Sequence, residues 1–245
     1  MVMVSAHRPA DLEAVRAAAA LGVDFVELDV QRCRDGVLVL AHDAWVLDGR
    51  RRVLLSDLTH AELVRLRPRS TTTVAECLEV LGGRARAHVD LKLTSPPELY
   101  ARPADTWEVA AVRQVVEAVG DGRAVITSDV PASVRAVRAW ARAHGHEDLL
   151  VGLSLGADPP APLWRRGLRL AVELLAPGRP LRACDATLVV ANKALARLTA
   201  ARWARRHDLP LLVWTVDDDR ELVRWLRSGA WLVATNRPAR ALALR

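Results

Sequence analysis

Phe25-Val26-Glu27-Leu28-Asp29-Val30 is an apolar run broken twice, two positions apart, by a carboxylate. Successive side chains on a strand alternate between faces, so Glu27 and Asp29 share one face of what otherwise reads as a buried strand. Like charges held that close repel, and burying them is costly unless a cation or a shared proton offsets the cost. Closely spaced carboxylates suit a hard divalent cation such as Mg²⁺ or Ca²⁺. His7-Arg8 precedes the run and His42-Asp43 follows it, and histidine is the side chain most used to move protons near neutral pH.

Outward from this stretch, short apolar runs alternate with longer amphipathic ones. Strands are expected at Val2-Ala6, Val23-Val30, Ala87-Leu93, Ala124-Ser128, Leu149-Ser154, Ala186-Val190, Leu211-Val216 and Trp231-Thr235. Helical patterns lie between them, clearest over Asp11-Leu21, Val74-Leu81, Trp107-Val119, Ala132-His144, Leu195-His207 and Asp218-Ser228. The alternation points to parallel strands joined by helical crossovers. Eight such strands in 245 residues favour an α/β fold closed as a (β/α)8 TIM barrel. An open doubly wound sheet would normally carry a glycine-rich phosphate loop after its first strand, and none is present. Gly22, Gly145 and Gly229 fall where helix caps are expected.

One segment breaks the rhythm. Asp35-Gly36 signals a tight turn into an extra strand, Gly36-His42, and a polar excursion runs from Asp43 to Ser70 with one short helix, Ser56-Leu66, capped by Ser56. Pro159-Pro160-Ala161-Pro162 reads as a rigid loop. Nothing marks a domain boundary, so residues 1–245 are expected to form a single barrel domain.

The net charge of +6 comes mostly from arginines spread along helices, and the densest run, Arg50-Arg51-Arg52, has no interleaved aromatics of the kind nucleic-acid stacking needs. Nucleic acid is therefore not an expected partner. Cys33, Cys77 and Cys184 fit neither a disulfide framework nor a zinc site. With no apolar stretch long enough to span a membrane and no leader, the expected location is cytoplasmic.

In a (β/α)8 barrel, chemistry collects at the C-terminal ends of the strands. There the sequence offers His7 and Arg8, Glu27 and Asp29, Asp90 and Lys92, Ser128, Ser154, Trp214 and Thr215, and Thr235 and Asn236. Polar loops beginning at strand ends explain the serines and Thr235, but not three carboxylates and a lysine alternating with apolar residues. Glu27, Asp29 and Asp90 would hold one divalent metal, Lys92 and Arg8 would neutralise a phosphate, and His7 and His42 would act as general base and acid. The lesser readings are a structural ion pair for Lys92 and a turn cap for His42-Asp43, and Trp214 is either core or a ligand-contacting wall. The other histidines, His60, His88, His144, His146 and His207, read as surface or helix-end residues, with His88 left open as a site residue because it shares the strand parity of Asp90 unless that strand starts late.

These residues resemble the glycerophosphodiester phosphodiesterase family. The matches, in order, are His7-Arg8, Glu27-Leu28-Asp29-Val30, Asp35-Gly36, His42-Asp43, Thr73 to Leu78, Asp90-Leu91-Lys92, Trp214-Thr215-Val216, and Gly229 through Thr235-Asn236-Arg237-Pro238. The resemblance implies a barrel of phospholipase C-like phosphodiesterase type. It implies metal-dependent hydrolysis of glycerophosphodiesters to an alcohol and glycerol 3-phosphate. Glu27, Asp29 and Asp90 match the metal ligands, His7 and His42 the acid/base pair, Arg8 and Lys92 the phosphate contacts, and Trp214 a substrate-pocket residue. The sequence departs from the pattern at Pro9, where the family has glycine, and at Asp90, one methylene shorter than the family glutamate. Asn236 stands for an aspartate, and the segment capping the site is short. Alternatives are a phospholipase D-like or phosphoinositide-type lipid phosphodiesterase, or a barrel that binds a phosphorylated ligand without catalysis.

Overall fold

A computed structural model describes residues 1–68, 71–157 and 162–245. Eight parallel strands close on themselves, with the first pairing both the eighth and the second. In chain order they are Met3–Ala6, Phe25–Arg32, Arg86–Leu91, Ala124–Ser128, Leu150–Leu155, Leu188–Asn192, Leu211–Trp214 and Leu232–Thr235. Helices alternate with them, which makes the molecule a (β/α)8 TIM barrel.

Apolar residues alternate along each strand, and the two resulting sets form two cores. Phe25, Val125, Leu188, Val190, Leu212 and Leu232 pack inside the barrel, and a larger set packs between strands and helices. Phe25, Glu27 and Asp29 share the interior face by strand parity, so the carboxylates stand directly above an apolar plug. Register fixes their neighbours. Glu27 pairs with His88, and Asp29 with Asp90, across the second and third strands.

The segment after the second strand differs from expectation. The extra strand is shorter, Leu38–Leu40, and pairs antiparallel with the end of the second strand. An unanticipated hairpin, Trp45–Asp48 with Arg51–Leu54, turns at Gly49 with φ of 60°. A small cluster of Cys33, Val39, Val46, Leu55 and Leu63 holds it. The short helix is His60–Leu66, not Ser56-Leu66. Ser56 lies in a 3-10 turn, and Thr59 and Glu62 exchange capping-box hydrogen bonds that start the helix three residues later. Three further helices, Leu163–Leu175, Gly178–Ala183 and Pro238–Leu244, were not anticipated. Arg69, Ser70 and Pro159 to Ala161 of the expected rigid loop lie outside the described residues. Gly22, Gly145 and Gly229 have positive φ, as expected of caps. The three cysteines are free and buried. Among the described residues no helix is long and apolar enough to cross a membrane.

Candidate active site

The C-terminal ends of the strands surround a cavity of about 770 Å³ lined by His7, Arg8, Glu27, His42, Asp90, Lys92 and Trp214, among others. Asp29 sits just behind this lining. Glu27, Asp29 and Asp90 are all buried, and each offers an oxygen within 4.8 Å of the other two. The shorter side chain of Asp90 therefore still reaches the group, and the Thr127 hydroxyl steadies it by donating to Oδ1 at 2.9 Å.

Two cations face this acidic cluster. Lys92 Nζ lies 2.5 Å from Asp90 Oδ2 and 3.6 Å from Asp29 Oδ1. Arg8 Nε donates to Asp29 Oδ2 at 3.1 Å, and Arg8 adopts φ of 51° to do so, ahead of Pro9. Lys92 is thus ion-paired and at the cavity at once. Burial alone would lower its pKa, but the facing Asp90 and Asp29 carboxylates outweigh that and raise it.

Two cations do not balance three carboxylates. Glu27 Oε2 and Asp29 Oδ1 are buried with no hydrogen-bond donor. Burial, then the charges of Asp90 and Asp29, holds the Glu27 carboxyl well above the usual range. Burial also raises Asp29, against the pull of Lys92. Orphaned carboxylate oxygens converging from three side chains are the donor set a hard divalent cation takes, so these residues fit such an ion.

His7 sits at the end of a relay. The Asp217 carboxylate accepts from Asn236 Nδ2 at 2.7 Å, from the Asn236 backbone N–H at 2.8 Å and from the Thr235 hydroxyl at 3.1 Å. These donors outweigh partial burial and lower the Asp217 pKa. An ionised carboxylate only accepts, so Asn236 must present its NH2 to Asp217 and its Oδ1 to His7 Nδ1, 2.9 Å away. The proton is therefore assigned to Nδ1, and Nε2 is left as a lone pair. Nε2 lies 3.3 Å from the Thr215 hydroxyl and 3.9 Å from Glu27 Oε1. Burial lowers the His7 pKa, partly countered by the Asn236 hydrogen bond. The imidazole is thereby disposed to be neutral and to accept a proton at Nε2.

His42 is half exposed at the rim, its Nδ1 2.8 Å from Asp43 Oδ1. Trp214 lines the opposite part of the cavity together with Leu212 and Val190. The expected residues thus converge on one cavity or its immediate wall.

Four neighbours were not singled out from sequence. Asp217 and Thr127 are described above, and Gln31 lies on the cavity wall, two positions beyond Asp29. The fourth, His88, corrects an expectation: it is not a surface residue but is buried inside the barrel. Its Nδ1 is 3.2 Å from Ser5 Oγ and 3.7 Å from Glu27 Oε2, its Nε2 is 3.2 Å from Thr127 Oγ1, and burial pushes its pKa down to about 4. The signal was present, since His88 has the same strand parity as Asp90.

Residues 10–240 match the family model described as the glycerophosphoryl diester phosphodiesterase family. Among solved structures, a glycerophosphodiester phosphodiesterase from Parabacteroides distasonis superimposes with a TM-score of 0.76 at 18% identity, over 99% of this chain and 96% of that one. One from Agrobacterium tumefaciens gives 0.72 at 19%, over 99% and 100%. A phosphodiesterase from Oleispira antarctica, in complex with the product sn-glycerol-3-phosphate, gives 0.71 at 17%, over 99% and 96%. No curated protein matches the sequence.

Proposed function

The chain belongs to the glycerophosphoryl diester phosphodiesterase family and is a phosphoric diester hydrolase, and from that premise we propose a metal-dependent reaction at the cavity, with His7 and His42 as base and acid. The substrate is a glycerophosphodiester, and the products are an alcohol and glycerol 3-phosphate. The observation that carries this reading is the convergence of Glu27, Asp29 and Asp90 within 4.8 Å beside a histidine whose Nδ1 is held by Asn236 and whose Nε2 carries the lone pair, facing the Thr215 hydroxyl. We assign the whole of residues 1–245 to one barrel domain.

Glu27, Asp29 and Asp90 would hold one Mg²⁺ or Ca²⁺ ion, which when bound supplies charge neutralisation at a phosphate oxygen. Lys92 and Arg8 add positive charge on the same side, where the dianionic character of the transition state develops. His7 Nε2 removes the proton from the attacking hydroxyl, either of water, which gives glycerol 3-phosphate directly, or of the adjacent glycerol carbon, which gives a cyclic phosphate that a water molecule then opens to glycerol 3-phosphate. Asn236 and Asp217 keep the proton of the resting imidazole on Nδ1. His42, at the rim and hydrogen-bonded to Asp43, protonates the departing alkoxide. Trp214 gives the glycerol moiety an apolar wall.

The test is purified protein incubated with glycerophosphocholine and Mg²⁺ or Ca²⁺, with and without chelator, scoring choline and glycerol 3-phosphate. Turnover that chelator abolishes and metal restores is expected. Turnover indifferent to chelator, or a Glu27→Ala/Asp29→Ala variant as active as the parent, refutes the metal assignment.

A further inference from the structure

Helix Leu163–Leu175 presents its apolar side to solvent and its charged side to the barrel. Leu163, Trp164, Leu168 and Leu175 are 81, 66, 61 and 82% exposed. Trp164, Leu168, Ala171 and Leu175 recur at spacings of four, three and four, which aligns them in one stripe along the helix. On the inward side, Arg169 Nε donates to Glu173 Oε1 at 2.6 Å, and its Nη2 donates to the carbonyls of Asp129 at 3.2 Å and Ser154 at 3.3 Å. Glu173 Oε2 accepts from the Gly156 N–H at 2.8 Å.

Asp129, Ser154 and Gly156 also line the candidate active-site cavity. The helix is therefore fastened by its polar side to the rim of that cavity, and its apolar stripe faces away. A helix packed on a globular core normally has the reverse polarity, and an apolar stripe of this length left in water marks a docking surface.

Charge identifies the occupant. Around the stripe the chain exposes Arg165, Arg179 and Arg182, while the one acid between Pro162 and Ala183, Glu173, is buried and paired with Arg169. The whole chain is at +6. Two copies meeting stripe to stripe would bring these cationic segments together, which disfavours self-association. An anionic bilayer surface answers both features. Leu and Trp enter the boundary between headgroups and acyl chains, and arginines beside the stripe meet lipid phosphates.

We infer that helix Leu163–Leu175 docks the protein on an anionic lipid surface, with the active-site rim beside it. This docking is independent of the reaction proposed above, and its readout is binding.

Co-sedimentation with vesicles tests it, using phosphatidylglycerol and phosphatidylcholine in equal parts, phosphatidylcholine alone, and both at low and high salt. The parent is expected to sediment with the mixed vesicles at low salt, and at least tenfold less with phosphatidylcholine or at high salt. A Trp164→Gln/Leu168→Gln variant should lose at least tenfold in binding while its thermal melt stays that of the parent, because both side chains stand in solvent. Arg165→Glu, a surface change of charge alone, should weaken binding to the mixed vesicles only. The inference is overturned if the parent ignores anionic vesicles at low salt, or if the double variant binds as well as the parent. It is equally overturned if the parent is a dimer that the double variant renders monomeric while neither binds vesicles.

Discussion

Replacing Glu27 by glutamine separates the electrostatic from the ligand role of the acidic cluster, and the two roles move thermal stability in opposite directions. Two unit charges at 4.8 Å, in an effective dielectric constant of about 20, repel by about 3.5 kcal/mol. When ionised, Glu27 takes part in two such pairs, with Asp29 and Asp90, and its charge then carries about 7 kcal/mol of gross repulsion; burial and this repulsion together hold its carboxyl toward the protonated form. Lys92 and Arg8 oppose this but act on Glu27 more weakly than Asp90 and Asp29 do, and about 2 kcal/mol is taken as the remainder. Without metal, then, Glu27→Gln should be the more stable protein, and at about 2–4 °C per kcal/mol for a chain of this size its melting point should rise by about 4–8 °C. With metal the order should reverse. A cation bound at a hundred times its Kd adds about 2.7 kcal/mol to the parent, or about 5–11 °C, whereas the variant has lost one of three carboxylate ligands and gains little. The assay is differential scanning calorimetry of both proteins in chelator and in excess Mg²⁺ or Ca²⁺. A crossing of the two melting points is the expected signature. A parent whose melting point ignores both metals, or a Glu27→Gln variant that gains as much from metal as the parent does, refutes the ligand assignment.

Asp217→Asn should lower kcat by about 10- to 100-fold with little change in KM, because it removes charge-assisted hydrogen bonds worth about 1.5–3 kcal/mol that orient Asn236 behind His7. In the same variant the acid limb of the kcat/KM profile should move to lower pH, since Asp217 raises the His7 pKa; an unchanged rate and limb would remove the relay from the mechanism. His88 titrates at about 4 in the folded protein against about 6.5 unfolded, so the unfolded chain binds the extra proton between these values, and stability is present above pH 6.5 and lost as pH falls toward 4. That loss should amount to about 3 kcal/mol, read as a falling urea midpoint in chelator, and a His88→Gln variant should show a flatter profile over the same window. Glu108 is buried and accepts from Ser95, Tyr100 and Ser133, so Glu108→Ala strands three hydroxyl donors and should cost about 3 kcal/mol of unfolding free energy, measured by chemical denaturation.

The barrel was legible because most of its strands are short, near-continuous apolar runs, as strands buried on both faces must be, and the helices between most of them keep an amphipathic period. Boundaries moved by a residue or two, and the third helical region proved continuous from Trp107 to Val119 as read. What escaped reading lacked that periodic signal or contradicted it. The hairpin from Trp45 to Leu54 rests on five buried side chains of its own cluster, and its second strand begins with Arg51 and Arg52, which sequence alone presents as solvated charge. Arg52 in fact lies over the Trp45 ring at 4.1 Å. Helix Leu163–Leu175 holds Arg169 and Glu173 toward the barrel and leucines toward water, so a search for an apolar face that packs inward passes over it. Ser56 lost the helix start to Thr59 because only Thr59 has a glutamate three residues on to complete the reciprocal cap.

The site divides along a different line, between what one strand encodes and what only closure of the barrel brings together. Glu27 and Asp29 announce themselves because parity on a single strand already makes them neighbours. Asp90 and Lys92 do so on the third strand, and register then sets Asp90 beside Asp29. His88 obeys the same parity and was legible in principle; what hid it was the ordinary expectation that a lone histidine stands at the surface. Asp217 was not legible at all, since its meaning depends on Asn236, and that of Asn236 depends on His7, 229 positions away in the chain. The neutral amide at Asn236, read alone, looks like the loss of the carboxylate that would orient a catalytic histidine. With Asp217 behind it, the negative charge is kept but set one residue farther from the imidazole. Orientation and tautomer are preserved, because Asp217 dictates which end of the amide faces His7. Direct ion pairing, which would raise the His7 pKa more strongly, is given up. Burial then wins, and the His7 imidazole stays neutral over a wider range of pH than a carboxylate partner in direct contact would allow.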